Sequence, residues 1–219
     1  MATDLQNIYA TRFPEEERRQ KERIWNILCS QFFQRYVEPE WAVLDLAAGY
    51  CEFINTIHAR RKIAVDLNPE TASFAAPGVE FILAPSDHIV EIADGTIDCV
   101  FVSNFFEHLP NKDALTATLT EMRRVLRSGG RLLILQPNIR FLNGSYWDFF
   151  DHYLPLTDRT LVEALELVGM KPVEVRPRFL PYTTKSRFPK ATWLIRVYLK
   201  VPFVWRILGK QAWVVAEKP

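Results

Sequence analysis

The stretch from Trp41 to Pro69 constrains the fold of this chain more than any other part of it. The apolar run at 43–46 has the length of a buried strand, and a turn of small residues at 47–49 follows it. A helical pattern comes next, and a second apolar run ends in Asp66. This order predicts a strand–helix–strand unit in which both strands belong to one parallel sheet.

The turn of this unit separates two classes of ligand. In open parallel sheets the ligand binds beyond the carboxyl ends of the strands, and an acid about 20 residues after the turn suits a ribose diol. A dinucleotide fold needs the pattern G-x-G-x-x-G, but Ala47, Gly49 and Glu52 occupy the three positions. The Glu52 carboxylate would repel a pyrophosphate, so the turn disfavours a nicotinamide oxidoreductase.

The same turn resembles a motif of another family. Residues 45–51, D-L-A-A-G-Y-C, are similar to the D-x-G-x-G-x-G motif of class I S-adenosylmethionine (SAM)-dependent methyltransferases. Gly49 keeps the central glycine, and the small residues Ala47 and Cys51 replace the other two. A Cβ at either replaced position is expected to narrow the ligand groove.

Two later segments carry the same resemblance. Residues 104–110, N-F-F-E-H-L-P, resemble the family's segment after the fourth strand, which often ends E-H-L. Residues 122–134, M-R-R-V-L-R-S-G-G-R-L-L-I, resemble its R-V-L-x-P-G-G-x-L element, with Ser128 at the usual proline. The two glycines after Ser128 are expected to end a helix and form the turn into the fifth strand.

The resemblance implies an α/β fold: a three-layer sandwich with a seven-stranded, mostly parallel sheet, an antiparallel last strand and helices on both faces. It implies one methyltransferase domain over 1–219. Its parts are an N-terminal helical cap (1–40), a Rossmann-like core (41–178), a helical insertion or lid (179–210) and the last strand (211–219). The cap helix is predicted to run to about Val37.

The resemblance also implies SAM as the methyl donor, S-adenosylhomocysteine (SAH) as the product, and no metal. The residues implied in cofactor binding follow the first four strands in turn. They are Asp45, Ala47, Gly49, Tyr50, Cys51, Asp66, Leu67, Asn68, Ser86, Asp87, Asn104 and Phe105.

The catalytic candidates lie in and before a long connection. The stretch from Gln136 to Leu156 is rich in aromatic residues, and a connection of this length in a compact domain is usually functional, so we interpret it as an acceptor-binding loop. A hydroxyl acceptor needs a base, and histidine titrates near neutrality. His152 is the first candidate and His108 the second, with Asp151 or Glu107 as an orienting acid; a purely structural hydrogen bond is the alternative for His108.

Composition bounds the remaining classes. A net charge of +1 and the lack of a basic stripe argue against nucleic acid as a partner. The three scattered cysteines indicate reduced thiols. The first residues lack the pattern of a signal peptide, and no apolar run is long enough to span a bilayer, so we expect a cytoplasmic protein.

The insertion combines aromatic, apolar and basic residues at helical spacing. One interpretation is a lid that packs on the core or on a second subunit, as in a homodimer. The other is peripheral membrane contact through 190–210, or cover for an amphiphilic acceptor such as a lipid-linked glycan. The predicted activity is methyl transfer to a hydroxyl or amine of a small molecule or glycan; the alternative is a non-catalytic binding module whose glycine motif has drifted.

Overall fold

The computed structural model describes residues 15–182 and 192–219. The first fourteen residues of the predicted cap and residues 183–191 of the predicted insertion lie outside them. The described helices are α1 (Glu15–Gln31), α2 (Glu52–Thr56), α3 (Lys112–Val125), α4 (Asp158–Leu167), α5 (Thr192–Lys200) and α6 (Pro202–Leu208). The strands are β1 (Ala42–Leu46), β2 (Arg61–Asp66), β3 (Val79–Leu83), β4 (Ile97–Ser103), β5 (Leu126–Pro137), β6 (Lys171–Arg176) and β7 (Gln211–Glu217).

These strands form one seven-stranded sheet in the order β3-β2-β1-β4-β5-β7-β6. Strands β1 to β5 pair in parallel, whereas β7 lies antiparallel between β5 and β6. The order reverses at β1, whose two neighbours are β2 and β4. The loops that follow β1, β2 and β4 therefore meet at one edge of the sheet, and this point of reversal is where such folds bind ligands. The predicted fold class is confirmed.

Each face of the sheet carries its own core. Helices α3 and α4 cover one face, with Leu119 and Leu161 packed in the same cluster as Val100 and Leu132 of the strands. The strands of a parallel sheet are buried on both faces, which explains why β1 is apolar at nearly every position.

Helix α1 packs on the opposite face, and its end differs from the prediction. The α-helix ends at Gln31, and a 3-10 turn, Phe33–Tyr36, carries the chain onward. The tighter turn lets both Phe32 and Phe33 point into the sheet, where their rings lie 5.4 Å and 5.2 Å from that of Trp213. Aromatic packing thus decides where this helix stops.

One other local prediction is wrong. Helix α3 ends at Val125 and β5 begins at the next residue, so the glycines after Ser128 do not cap the helix. Helix α4 is capped by Thr157, whose side chain exchanges hydrogen bonds with Thr160 in a capping box. Thr160 is the third residue of this helix, which is the position from which a capping-box side chain reaches back to the cap.

The segment between β6 and β7 forms helices α5 and α6, which pack in the same core cluster as α1 through Tyr198 and Trp205. The Trp205 indole N–H donates to the backbone carbonyl of Tyr198 at 2.7 Å, which joins the two helices. Where this segment meets the sheet, the Phe179 N–H donates to the carbonyl of Gln211 at 2.7 Å and the Lys210 N–H to that of Leu180 at 2.8 Å. No helix within the described residues has the length and apolar character needed to cross a membrane.

Candidate active site

The turn after β1 is built from left-handed residues. Ala47, Gly49 and Cys51 have φ angles of 55°, 54° and 60°, so all three motif positions use the conformation that favours glycine. The Cys51 side chain points away from the open edge, because its thiol is fully buried and lies 3.8 Å from the Thr71 carbonyl. This corrects the expectation that a Cβ at 51 narrows the groove. A Cβ added at Gly49, by contrast, would meet no atom within 4 Å, so open space lies beside that backbone.

Asp66 fixes this turn from the tip of β2. Its Oδ2 accepts a hydrogen bond from the Gly49 N–H at 2.8 Å, and its Oδ1 accepts one from the Asn68 N–H at 2.8 Å. Each carboxylate oxygen has a further lone pair, so Asp66 can accept ribose hydroxyls while it holds the loop.

Asp45 lies beneath the turn, with only 4% of its surface exposed. Burial raises the pKa of this carboxyl well above its ordinary value, and the negative charges of Glu52 and Asp66 add to that rise. A backbone hydrogen bond from Ile54 opposes it. Asp45 therefore supports the turn and the start of α2 from inside the protein.

Helix α1 contacts residues that flank the open space beside Gly49, which we call the crevice. The Lys21 ammonium lies 2.9 Å from the Glu52 carboxylate and 5.4 Å from the centroid of the Tyr50 ring. The Tyr50 ring in turn contacts that of Phe74 edge to face at 4.8 Å. These contacts give the crevice an aromatic wall.

The other predicted cofactor residues follow the neighbouring strands. Leu67 is 68% exposed beside Asp66, and Asp87 is exposed after β3. The Ser86 hydroxyl is paired with that of Thr118 at 2.8 Å, which points it toward α3. After β4, Asn104 is exposed and left-handed at φ 48°, and Phe105 is half-buried.

These features fit SAM. The open space at Gly49 admits close approach of a ligand to the backbone, the Asp66 carboxylate suits a ribose, and the exposed Leu67 offers an apolar surface to a base. The nearby acids are compatible with a sulfonium cation and incompatible with a diphosphate.

A second group of polar side chains lies at the tips of β4 and β5. Glu107, His108 and His152 each place one oxygen or nitrogen within 4.8 Å of the others. The two imidazole rings meet edge to face at 5.1 Å between centroids. Burial raises the pKa of the Glu107 carboxyl, and the Gln136 amide, which donates to its Oε2 at 2.9 Å, acts in the opposite direction.

Backbone carbonyls hold both imidazoles. His108 Nδ1 lies 2.9 Å from the carbonyl oxygen of Asp151, and His152 Nδ1 lies 2.9 Å from that of Tyr146. A carbonyl only accepts, so Nδ1 carries the proton in both rings and the lone pair is on Nε2. The Asp151 carboxylate lies 3.4 Å from the same His108 nitrogen. The structure thus brings together all three predicted catalytic residues.

The loop that carries His152 is folded on itself. The N–H groups of Tyr153 and Leu154 both donate to the Glu107 carbonyl, at 2.8 Å and 3.1 Å. The Tyr146 hydroxyl donates to the Leu154 carbonyl at 2.7 Å, and the Phe149 ring stacks on His152 at 4.8 Å. Sequence reasoning did not single out Gln136, Tyr146 or Phe149, because nothing in their local pattern signals contact with Glu107 or His152.

A separate cavity of about 630 Å³ lies between α4, β6 and α6. Five arginines line it: Arg140, Arg159, Arg176, Arg178 and Arg206. The Arg140 guanidinium pairs with Asp158 at 2.8 Å, and Arg178 donates to the carbonyl of Gly209. Positive charge therefore concentrates beside the helices of the insertion.

Comparison with known proteins agrees with this geometry. Residues 44–134 match a family model described as a methyltransferase domain. An uncharacterized 37.1 kDa protein in transposon TN4556 of Streptomyces fradiae is 31% identical over 121 residues, which are 50% of this chain and 34% of that protein. The chain thus covers about a third of the length of this relative.

Solved structures of low sequence identity share the fold. A SAM-dependent methyltransferase from Archaeoglobus fulgidus superposes with a TM-score of 0.65 at 20% identity, over 89% of this chain and 94% of that one. Geranyl diphosphate C-methyltransferase from Streptomyces coelicolor A3(2), in complex with Mg²⁺, geranyl diphosphate and SAH, gives 0.61 at 13% identity, over 84% and 72%.

Proposed function

Because residues 44–134 match a methyltransferase domain and the chain shares the fold of SAM-dependent methyltransferases, we propose that it transfers the methyl group of SAM to a hydroxyl of an amphiphilic small molecule or glycan. The choice of a hydroxyl rests on the cluster of Glu107, His108 and His152, in which Glu107 and His152 are buried and His108 is partly buried. It lies at the tips of β4 and β5, next to the turn that is suited to SAM, because β4 is the parallel neighbour of β1. A hydroxyl must lose its proton as it is methylated, and this cluster offers groups that can take one.

SAM, when bound, supplies an activated methyl group on a sulfonium sulfur, so the chemistry is an in-line displacement. The acceptor oxygen forms a bond to the methyl carbon, the carbon–sulfur bond breaks, and its electron pair stays on sulfur. The chain has to position the acceptor, exclude water and receive the hydroxyl proton.

We assign proton transfer to His152. Its Nδ1–H is held by the Tyr146 carbonyl, which leaves Nε2 as the basic nitrogen. The imidazolium that forms would be stabilised by the Glu107 carboxylate within the same cluster. His108, held by Asp151, orients the pair.

The test uses SAM with a deuterated methyl group and two acceptors, octyl glucoside and free glucose, with mass-spectrometric detection. The proposal expects labelled octyl glucoside and a His152→Ala variant that is slower by roughly 10²- to 10⁴-fold. The matched control is His58→Ala, because His58 is exposed and lies outside the cluster. Calorimetry with SAH should give the same affinity for both variants.

The outcomes separate the alternatives. Failure of the wild-type protein to bind SAM or SAH would favour a non-catalytic module. Unchanged turnover of His152→Ala would refute the role of this histidine. Labelling of glucose and octyl glucoside at equal rates would refute the amphiphilic acceptor.

The insertion supports peripheral contact with an anionic membrane surface. Trp193 on α5 is 60% exposed and Phe203 on α6 is 69% exposed. Exposed cations, Arg196, Lys200 and Arg206, lie on the same two helices, and the arginine-lined cavity adjoins α6. Apolar side chains next to cations suit the boundary between lipid headgroups and acyl chains.

Co-sedimentation with vesicles tests this contact. The chain should bind phosphatidylglycerol vesicles at low salt and bind phosphatidylcholine vesicles much less. Phe203→Ser should weaken the binding, whereas Leu167→Ser should not, because Leu167 is 78% exposed on α4, across the sheet. Equal effects of the two substitutions on vesicle binding would refute membrane contact through the insertion.

A further inference from the structure

We propose that Glu107, His108 and His152 bind a divalent transition-metal cation. This inference departs from the sequence-based expectation that the chain uses no metal. It rests on the donor atoms and on how the surrounding residues hold them, and it requires nothing of the SAM crevice.

The donor set is the first argument. One carboxylate and two imidazoles is a set that proteins use for Zn²⁺ and for Fe²⁺, with the remaining coordination positions open to water or substrate. The three donor atoms lie within 4.8 Å of one another. Ligands about 2.0–2.2 Å from one tetrahedral ion are roughly 3.4 Å apart, so the donor atoms would move closer to one another by up to about 1.4 Å around the ion.

The surrounding hydrogen bonds are the second argument. Metal-binding histidines usually donate their other N–H to a carbonyl or carboxylate, which fixes the tautomer and turns the lone pair toward the ion. His108 has such a carbonyl at Asp151 and His152 has one at Tyr146. The Gln136 amide occupies Oε2 of Glu107 and orients the carboxylate.

The position of the cluster is the third argument. Glu107 is fully buried and His152 nearly so, and a buried carboxylate is costly unless it is paired or coordinates a cation. The aromatic rings of Tyr146 and Phe149 pack against His152, with centroids 4.7 Å and 4.8 Å from that of the imidazole. A divalent ion would offset the cost of burying Glu107.

The role of the cation rests on the proposed function. Its open positions would bind the acceptor hydroxyl oxygen, which makes that hydroxyl more acidic. The assignment of proton transfer to His152 describes the protein without the cation. With the cation bound, both imidazoles would be ligands and the acceptor proton would leave to solvent.

Cobalt titration tests the site without any methylation assay. The full chain is dialysed against a chelator and titrated with Co²⁺, and the visible d–d absorption is recorded. We expect one equivalent to bind, and we expect His108→Ala to weaken the binding by at least 10- to 100-fold. The matched control is His88→Ala, which removes an exposed histidine outside the cluster.

SAH calorimetry on the same samples distinguishes failure of the cation site from failure of the proposed function. It also reports whether His108→Ala keeps its fold. No Co²⁺ binding by a wild-type protein that binds SAH overturns the cation site and leaves the proposed function standing. Equal Co²⁺ binding by His108→Ala and the wild-type protein also overturns it. Site-specific Co²⁺ binding without SAH binding supports the cation site while the proposed function fails.

Discussion

The open space beside Gly49 leads to a sharp test of where SAM binds. The perturbation is Gly49→Ala, which adds one methyl group at a φ of 54° and meets no atom of the protein. The matched control is Gly95→Ala. Gly95 has a φ of 67°, and its added Cβ would lie 3.9 Å from the Arg127 Cα, an ordinary contact.

The two substitutions should lower the free energy of unfolding by about the same amount. A non-glycine residue in the left-handed region loses roughly 1–2 kcal/mol, and neither Cβ adds a clash within the protein. They differ in location, because Gly49 follows the carboxyl end of β1 and Gly95 precedes β4 at the opposite edge of the sheet. Only Gly49→Ala should therefore affect a ligand.

The effect on binding follows from the size of a methyl group. Forcing one into a close contact costs about 1–3 kcal/mol, which corresponds to roughly 5- to 150-fold weaker binding. We expect calorimetry with SAH to show this loss for Gly49→Ala and an affinity close to that of the wild-type protein for Gly95→Ala. Urea unfolding provides the comparison of stability. Equal SAH affinities of the two variants would refute the placement of SAM beside Gly49.

Three further predictions concern the same turn. Asp66→Ala removes the acceptor of two backbone N–H groups. It should weaken SAH binding by at least about 10-fold in calorimetry, because a hydrogen bond to a charged group contributes about 1.5–3 kcal/mol. An unchanged SAH affinity would contradict this prediction. Asp45 has a raised pKa in the folded protein because of burial, so its contribution to stability is lost as the pH rises through that pKa. The stability gain of Asp45→Asn over the wild-type protein, on the order of 1 kcal/mol, should therefore grow in denaturant titrations as the pH rises above about 4, the ordinary pKa of an aspartate, and parallel pH profiles would refute it. In urea unfolding, the free energy of unfolding of Ala47→Gly should lie within about 1 kcal/mol of the wild-type value, because relief of the left-handed strain offsets the added freedom of the unfolded chain. Cys51→Gly should lower it by about 1–2 kcal/mol, because buried contacts of the Cys51 side chain are lost. Equal effects of the two substitutions would contradict this prediction.

The sequence was sufficient to predict the sheet because its signals are local. The run at 43–46 and the acid at Asp66 are read from neighbouring residues, and the resemblance supplied the number of strands and the antiparallel last strand. Where helices end was less predictable. The end of α1 depends on contacts of Phe32 and Phe33 with Trp213, which lies far away in the chain.

The sequence predicted which histidines belong to the candidate site, but it did not predict how they come into contact. His108 and His152 each stood out as a histidine at the end of a strand or in a long loop. Their contact depends on a loop that closes by hydrogen bonds to the Glu107 carbonyl, and no periodicity encodes such a closure. The local pattern also gave no reason to pair Gln136 with Glu107.

The hydrogen bonds that join Phe179 to Gln211 and Leu180 to Lys210 bring the two ends of the α5–α6 segment side by side. Such a segment can be lengthened, shortened or exchanged in evolution while the register of β6 on β7 and the turn around Gly49 stay as they are. Homologues that differ here are therefore expected to diverge in what they methylate before they diverge in how they hold the donor. A chimaera that swaps only this segment is a direct route to a new acceptor preference.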